Sequence, residues 1–256
     1  MKVRFHFRRI GKGNAVPVYH QPLMAANIRA WILDCFQDPY DISFDLYTFS
    51  SLKGLNKCES NFLFFHTNQI HVMISTPNEQ WLKRLVEYVM QLEKFQVHDM
   101  VLSPEAYEYA EVFQLKEETR YVSLSPMVLF DPTVKPGAPV DLLNPYSEQF
   151  SDLLYDTLLD RMESYRWGNF KYENYSRFQV VPDSAYIEKL KVNKKKLGRV
   201  LDVGEKKVKA YLFPFTLYAH PDVQNFVYDA GIGTLGNEGF GCLDLVLEKK
   251  VSYVRH

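Results

Sequence analysis

The chain has 256 residues and a formal net charge of −1, with 46% hydrophobic and 24% charged residues. These values are typical of a globular protein, and they exclude disordered, collagen-like and coiled-coil chains. No apolar run approaches the ~20 residues that a membrane-spanning helix needs, so we expect no membrane association. The N-terminus lacks the apolar segment of a signal peptide, and the three cysteines lack C-x-x-C spacing. We therefore expect a cytoplasmic protein with free thiols, without disulfides or structural zinc.

The first half of the chain alternates between strand-like and helix-like patterns. Charged and bulky residues alternate over 2–10, which predicts a half-buried strand, and Pro22 suits the first turn of a following helix. Residues 76–79 read as a capping box that opens a second helix. The order β-α-β-β-α-β is that of the ferredoxin-like unit. The predicted elements are strand 2–10, helix 21–36, strands 42–51 and 61–75, a helix from 76, and strand 95–102.

A similar order recurs in the second half. Its predicted elements are strand 121–130, helix 148–166, strand pieces near 177–181, 190–203 and 207–218, helix 221–228, and strand 242–254. The acidic stretch 103–120 separates the two patterns. We therefore predict an α+β protein of two tandem ferredoxin-like (RRM-like) domains, residues 1–118 and 119–256. The middle hairpin of the second domain is predicted to be drawn out and basic.

Five of the twelve glycines fall within eleven residues. They are Gly231, Gly233, Gly236, Gly239 and Gly241. The first three match G-x-G-x-x-G, but the dinucleotide-binding fingerprint requires a strand before it and a helix after it, and here the predicted order is reversed. Two interpretations remain: a structural loop, or a loop whose successive amide groups bind a phosphate backbone.

Positive charge is concentrated in two segments. Residues 1–12 hold five basic residues and no acid, and residues 189–209 hold nine basic residues against two acids. Such segments form an anion-binding face in some proteins, and the alternative is a set of solvated lysines on exposed strands. His66 and His71 would lie on opposite faces of one continuous strand, so we interpret both as structural and predict no metal site.

The glycine segment AGIGTLGNEGFGCLDLV resembles the C-terminal motif of the RAMP superfamily of CRISPR-associated proteins, specifically of the repeat-processing endoribonuclease. Three further segments agree with this resemblance in their order along the chain: VPVYHQPLMAANI at 16–28, YTFSSL at 47–52 and VSLSPMVLF at 122–130. The resemblance implies two tandem ferredoxin-like domains, CRISPR repeat RNA or pre-crRNA as partner, and no cofactor. Other CRISPR effector subunits are candidate partners, and DNA is not expected.

The resemblance also implies a reaction. Members of the family cut the repeat without metal by attack of a 2′-hydroxyl on the adjacent phosphate, which requires a base, an acid and a cation. The family histidine lies within or just after the first helix, and no histidine occurs between His20 and His66. His20, at the helix entry, is therefore the candidate base. Arg29 and Lys53 are candidates for stabilising charge, and Tyr47 for positioning the nucleotide.

The resemblance implies RNA contacts as well. The five glycines of the loop would let backbone amides approach the RNA, and side chains at Gly233 or Gly239 would block that approach. The basic run would meet phosphates in a salt-dependent manner. Its candidate contacts are Lys194, Lys195, Lys196, Arg199 and Lys207.

Three rival functions stay open at this point. One is a related protein that holds the repeat or the mature guide RNA but cuts weakly or not at all. Another is a RAMP subunit with a structural role in an effector complex, and a further one is a nucleotide enzyme built on the glycine loop.

Overall fold

The computed structural model describes residues 1–36, 46–129, 145–165, 177–194, 196–203 and 206–246. Strands and helices alternate through both halves of the chain. In the first half they are β1 (Lys2–Ile10), β2 (Ala15–Pro17), α1 (Gln21–Cys35), β3 (Thr48–Phe49), β4 (Asn56–Glu59), β5 (Phe62–Phe65), β6 (Gln69–Ser75), α2 (Glu79–Gln91), β7 (Phe95–Val97) and β8 (Met100–Tyr109).

The second half contains further strands, three helices and a short 3₁₀ helix. They are β9 (Glu118–Ser123), β10 (Met127–Val128), α3 (Glu148–Ser164), β11 (Phe178–Pro182), α4 (Ser184–Val192), β12 (Gly198–Val203), β13 (Lys206–Tyr211), β14 (Phe215–Ala219), α5 (Pro221–Ala230), the 3₁₀ helix (Gly236–Glu238) and β15 (Leu243–Leu245).

Each half builds one main antiparallel sheet with the same strand order. The first sheet runs β3-β6-β1-β8-β7 and the second runs β11-β14-β9-β15. Counted along each half, the main strands lie side by side in the order second, third, first, fourth. This is the arrangement of a ferredoxin-like β-α-β-β-α-β unit, and it occurs here twice. The predicted fold class, α+β with tandem ferredoxin-like units, is confirmed.

Insertions between the second and third main strands enlarge both units. In the first, β4 and β5 form a hairpin that pairs with β2. In the second, α4 is followed by the β12-β13 hairpin, which pairs with β10. The prediction that the middle hairpin of the second unit is drawn out and basic agrees with this insertion.

Two hydrophobic clusters stabilise the two units. Alternation in β1 places Val3, Phe5 and Phe7 on the face that packs against the helices, where all three are buried, together with Trp81 of α2. In the second unit Phe150 of α3 lies in the corresponding core. The opposite face of β1 carries the polar residues Lys2, Arg4, His6 and Arg8.

Several predicted boundaries were wrong for local reasons. Thr76 was predicted to cap α2, but Asn78 does so, its side chain accepting from the amide of Trp81 at 3.0 Å. The strand predicted over 190–203 is partly helix, because Asp183 caps α4 by accepting from the amide of Tyr186 at 2.8 Å.

Other predicted strands differ in extent. The strand predicted over 207–218 is split between β13 and β14, and Pro214 between them has no N–H to donate to a ladder. The acidic stretch that was predicted to separate the domains contributes its first residues to β8. Residues 42–45 and 247–254 of two predicted strands lie outside the described residues.

Among the helices that the structure describes, none is long and apolar enough to cross a membrane.

Candidate RNA-binding site

The glycine-rich loop of the second unit packs directly onto strand β3 of the first. The Thr48 hydroxyl donates a hydrogen bond to the carbonyl of Phe240 at 2.7 Å, and both groups are buried. The amide of Leu124 donates to the carbonyl of Cys242 at 2.8 Å, and the amide of Ser51 donates to Leu124 at 3.3 Å. The loop therefore joins the two units.

The loop glycines are required by contacts within the protein. Gly233 has φ +79°, and a Cβ there would lie 2.4 Å from the carbonyl oxygen of Val128. At Gly239, with φ +85°, a Cβ would lie 2.4 Å from the ring of Phe49. Protein atoms also crowd the other three, Gly231, Gly236 and Gly241. The two side chains that were predicted to block RNA would collide with the protein itself.

Arg161 of α3 is hydrogen-bonded to the glycine loop, a contact that the sequence did not predict. Its guanidinium donates to the carbonyls of Ala230 at 2.7 Å, Gly231 at 3.1 Å and Gly233 at 3.0 Å. Burial lowers the pKa of Arg161 to about 10, so the side chain stays charged at neutral pH. An arginine on an otherwise apolar helix face was the sequence signal that could have indicated this role.

Arg161→Lys is expected to lower the free energy of unfolding by about 2 kcal/mol, because one ammonium cannot replace a planar fork that serves three carbonyls. Urea unfolding followed by circular dichroism measures the effect. Arg199→Lys, on the exposed basic hairpin, is the matched control and is expected to change stability by less than about 0.5 kcal/mol. Equal stability of the two variants would contradict the role given to Arg161.

His20 lies in a position that argues against the predicted role as a base. The side chain is 1% exposed. Its Nε2 accepts from the amide of Leu52 at 2.9 Å, so Nδ1 carries the proton and donates to the carbonyl of Pro17 at 3.1 Å. Burial lowers the pKa of His20 to about 4. Both ring nitrogens are therefore engaged by the backbone, and neither is available to accept a proton from a ribose hydroxyl.

Tyr47 and Arg29 both lie near the 3₁₀ helix of the glycine loop, one buried and one exposed. Tyr47 is 2% exposed and stacks on Trp81 with ring centroids 5.3 Å apart, so it is a core residue. Arg29, on the exposed side of α1, forms an ion pair with Glu238 of the 3₁₀ helix at 2.6 Å. The Tyr47 side chain therefore stabilises the core of the first unit, and Arg29 links α1 to the 3₁₀ helix of the second. Tyr47 is not open to a substrate as its predicted role requires, whereas Arg29 is exposed but already pairs with a carboxylate.

Lys53 is the predicted catalytic residue whose environment best fits its role. It is half-buried, and no carboxylate or carbonyl of the described residues accepts from its ammonium group. Burial lowers the pKa of Lys53, and the neighbouring Cys242 opposes this change. Lys53 also lies close enough to His20 to contribute to the low pKa of that imidazole. A partly buried cation that has no anionic partner within the protein is typical of a site that binds an anion.

Lys53 lies beside two histidines that the sequence analysis did not bring together. Backbone hydrogen bonds in both directions, at 2.8 and 2.9 Å, pair Lys53 with His71 of β6. His71 in turn lies opposite His6 of β1, and the two imidazole centroids are 6.0 Å apart. His66 lies outside β6, so the two histidines are not on the one continuous strand that the prediction assumed. The alternation of β1 in the sequence indicated that His6 lies on the polar face of that strand. Only the register between β1 and β6 shows that His71 lies opposite it.

The basic run is distributed over several surfaces. Lys194 and Lys196 are exposed in the segment between α4 and β12, and Lys195 lies outside the described residues. Arg199 pairs with Ala210, so it lies on one face of the hairpin, whereas Lys207 and Lys209 lie on the other. Lys207 is exposed. These cations therefore do not share a single face.

No group of three or more His, Cys, Asp or Glu side chains that could hold a metal ion occurs in the part of the chain that the structure describes.

Comparisons with known proteins place this arrangement in a family. Residues 108–245 match the family model described as CRISPR associated protein Cas6, C-terminal. This match covers the glycine loop, Arg161 and the basic hairpin. No curated protein sequence matches the chain.

Solved structures share the fold over nearly the whole chain. A Cas6-related protein from Pyrococcus furiosus has a TM-score of 0.81 at 18% identity, with 97% of this chain and 99% of that chain covered. A RAMP protein described as binding different RNA substrates has a TM-score of 0.78 at 18% identity, with 96% and 100% covered. A further Cas6 structure has a TM-score of 0.73 at 16% identity, with 96% and 99% covered. Because the family model spans more than half of the sequence, we conclude that the chain belongs to the Cas6 family of CRISPR-associated proteins.

Proposed function

We propose that the protein binds CRISPR repeat RNA and cleaves pre-crRNA within the repeat, without a metal ion, to give mature crRNA. The observation that carries the proposal is the match of residues 108–245 to the Cas6 model. Structural relatives give additional support, since one is described as binding different RNA substrates and another as a Cas6 product complex with a TM-score of 0.57. We infer a cytoplasmic site of action, where the repeat transcript is made, and other CRISPR effector subunits as further partners.

The proposed reaction is an attack of the ribose 2′-hydroxyl on the adjacent phosphorus. The P–O bond to the 5′-oxygen of the next nucleotide breaks, which leaves a 2′,3′-cyclic phosphate and a 5′-hydroxyl. The pentacoordinate phosphorane carries extra negative charge, so a fixed cation nearby lowers the barrier. We assign this role to Lys53, because its ammonium group is half-buried and no described carboxylate neutralises it.

We further propose that the exposed basic residues Lys194, Lys196, Arg199 and Lys207 meet RNA phosphates, with Lys195 beside them in sequence. Because these residues occupy different surfaces, the RNA would follow the edge of the β12-β13 hairpin rather than a flat face. The glycines of the loop would serve RNA binding by keeping the loop in place between the two units. Gly231, for example, has no room for a side chain beside Thr48.

A second candidate function is repeat or guide RNA binding without cleavage. The observation that favours it is the environment of His20, whose two ring nitrogens are hydrogen-bonded to Pro17 and Leu52. Because the histidine at the helix entry is engaged in this way, the first step of the reaction would need another base. An RNA-binding protein of this kind would hold the repeat tightly and leave it intact.

A cleavage assay with Lys53→Met separates the two candidates. End-labelled repeat RNA from the CRISPR array of the same genome is incubated with excess protein in a chelator, and binding is measured in parallel. We expect wild type to cut at one position, and Lys53→Met to cut about 100-fold more slowly, the usual effect of removing one charge-stabilising group. The matched control is Lys57→Met, an exposed lysine four residues away that forms an ion pair with Glu59.

The outcomes are distinct. Equal cutting by Lys53→Met and Lys57→Met would remove Lys53 from the mechanism and keep the nuclease. Tight binding without cutting by wild type would favour the second candidate. Absence of binding by wild type would contradict the proposed function.

A further inference from the structure

The face of the first sheet that points away from its helices carries a row of basic side chains across neighbouring chain segments. Lys53, His71 and His6 occupy directly opposed positions on the segment that follows β3, on β6 and on β1, so their side chains emerge on the same face. Opposed residues in such pairs have Cβ atoms about 5 Å apart, which lets one small anion touch more than one of them. Arg4 lies two residues from His6 on β1 and therefore shares this face.

The charges of this row are not balanced within the protein. Arg4 donates to the Glu108 carboxylate of β8 at 2.6 Å, and the same oxygen lies 3.4 Å from Nε2 of His6. Glu108 is thus shared between two basic groups. In the described residues, neither the Lys53 ammonium nor the His71 imidazole has a side-chain hydrogen bond or an ion pair, although both are half-buried. Two partly desolvated basic groups therefore lie together without an acceptor.

We propose that Lys53, His71 and His6, with Arg4 at the edge, form a binding site for one phosphodiester group of single-stranded RNA, and that RNA binding there takes up a proton. This inference rests on the proposed function for the identity of the ligand. The side chains of the site come from the first unit, with Cys242 of the second unit beside Lys53, and the basic hairpin contributes none of them.

The electrostatics of the row explain the coupling to protons. Burial, together with Arg4, His6 and Lys53, lowers the pKa of His71, and Glu108 opposes this only weakly. His71 is therefore neutral in the free protein at neutral pH. A phosphodiester beside it adds a negative charge, which favours the imidazolium and raises the pKa of His71. By linkage, a group whose pKa rises on binding makes binding tighter as the pH falls.

Fluorescence anisotropy with labelled single-stranded repeat RNA tests the proposal at constant ionic strength. For wild type we expect affinity to be roughly 3- to 7-fold higher near pH 6 than near pH 8, because a one-unit rise of an imidazole pKa reaches its full tenfold effect only well below both pKa values. The double variant His6→Asn/His71→Asn is expected to lose this dependence, and Lys53→Met to bind about tenfold more weakly at both pH values. His66→Asn, an exposed histidine outside the row, is the matched control and should retain the wild-type dependence.

A second measurement on wild type does not depend on the folding of the variants. The His71 ring protons are titrated by NMR with and without the RNA, and the pKa of His71 is expected to be higher in the complex. The inference is wrong if wild type binds the RNA equally well at both pH values, if the double variant keeps the pH dependence, or if the pKa of His71 does not rise. In each of these cases the proposed function stands. If wild type binds no repeat RNA at either pH, the proposed function is wrong and the inference falls with it.

Discussion

Gly241→Ala is expected to lower the free energy of unfolding by about 4 kcal/mol, one of the largest losses that a single methyl group can produce. Gly241 has φ +71°, where any other residue is strained by about 1–2 kcal/mol. Its Cβ would lie 1.9 Å from the carbonyl oxygen of Ile232, so the backbone itself would have to move. Because the amide of Gly241 donates to Pro126 and its carbonyl accepts from Ile232, this movement would open the base of the loop.

Gly11→Ala separates the two contributions. Gly11 has a similar φ of +77°, but no atom lies within 4 Å of the position that its Cβ would occupy. We expect this control to lose only about 1 kcal/mol, the conformational part alone. Urea unfolding monitored by circular dichroism measures both variants. A Gly241→Ala protein as stable as Gly11→Ala would mean that the loop is not packed as the structure describes.

His20→Ala is expected to lower the free energy of unfolding by about 3 kcal/mol near neutral pH, because it leaves a buried amide and a partly buried carbonyl without partners and opens a cavity. The two groups are the amide of Leu52 and the carbonyl of Pro17. Unfolding by urea is the measurement, with His66→Ala as an exposed control that is expected to change stability by less than about 0.5 kcal/mol.

The same residue predicts a pH dependence of stability. The pKa of His20 falls from 6.5 in the unfolded chain to about 4 in the folded protein, because burial disfavours the imidazolium. Between these values the unfolded chain binds more protons, so stability is complete above the higher pKa and falls as the pH decreases toward the lower one. This loss amounts to about 3 kcal/mol.

In His20→Ala the part of the acid destabilisation that comes from this imidazole should be absent, and in His66→Ala it should persist. A His20→Ala protein with wild-type stability and no cleavage would instead restore the catalytic role that the sequence had indicated.

Much of the architecture follows from short-range patterns. Alternation over 2–10 predicted β1 correctly, since a sheet with one face on a core requires that period. The helix predicted over 21–36, with Pro22 in its first turn, matches α1 to within one residue at its C-terminal end. The predicted start of α2 was wrong because two nearby residues could each cap the helix. Thr76 was the predicted cap of α2, but its hydroxyl donates to the distant carbonyl of Leu46 at 2.8 Å, and Asn78 takes its place.

The sequence by itself therefore determined the two ferredoxin-like units and, through the glycine motif, the Cas6 family. The tertiary structure decided what the individual residues do. His20 and Leu52 are 32 residues apart in the sequence. Only the folded chain shows that the amide of Leu52 donates a hydrogen bond to the imidazole of His20. His6 and His71 meet through the register of two strands. Register and burial depend on contacts between distant segments, which a local pattern does not record.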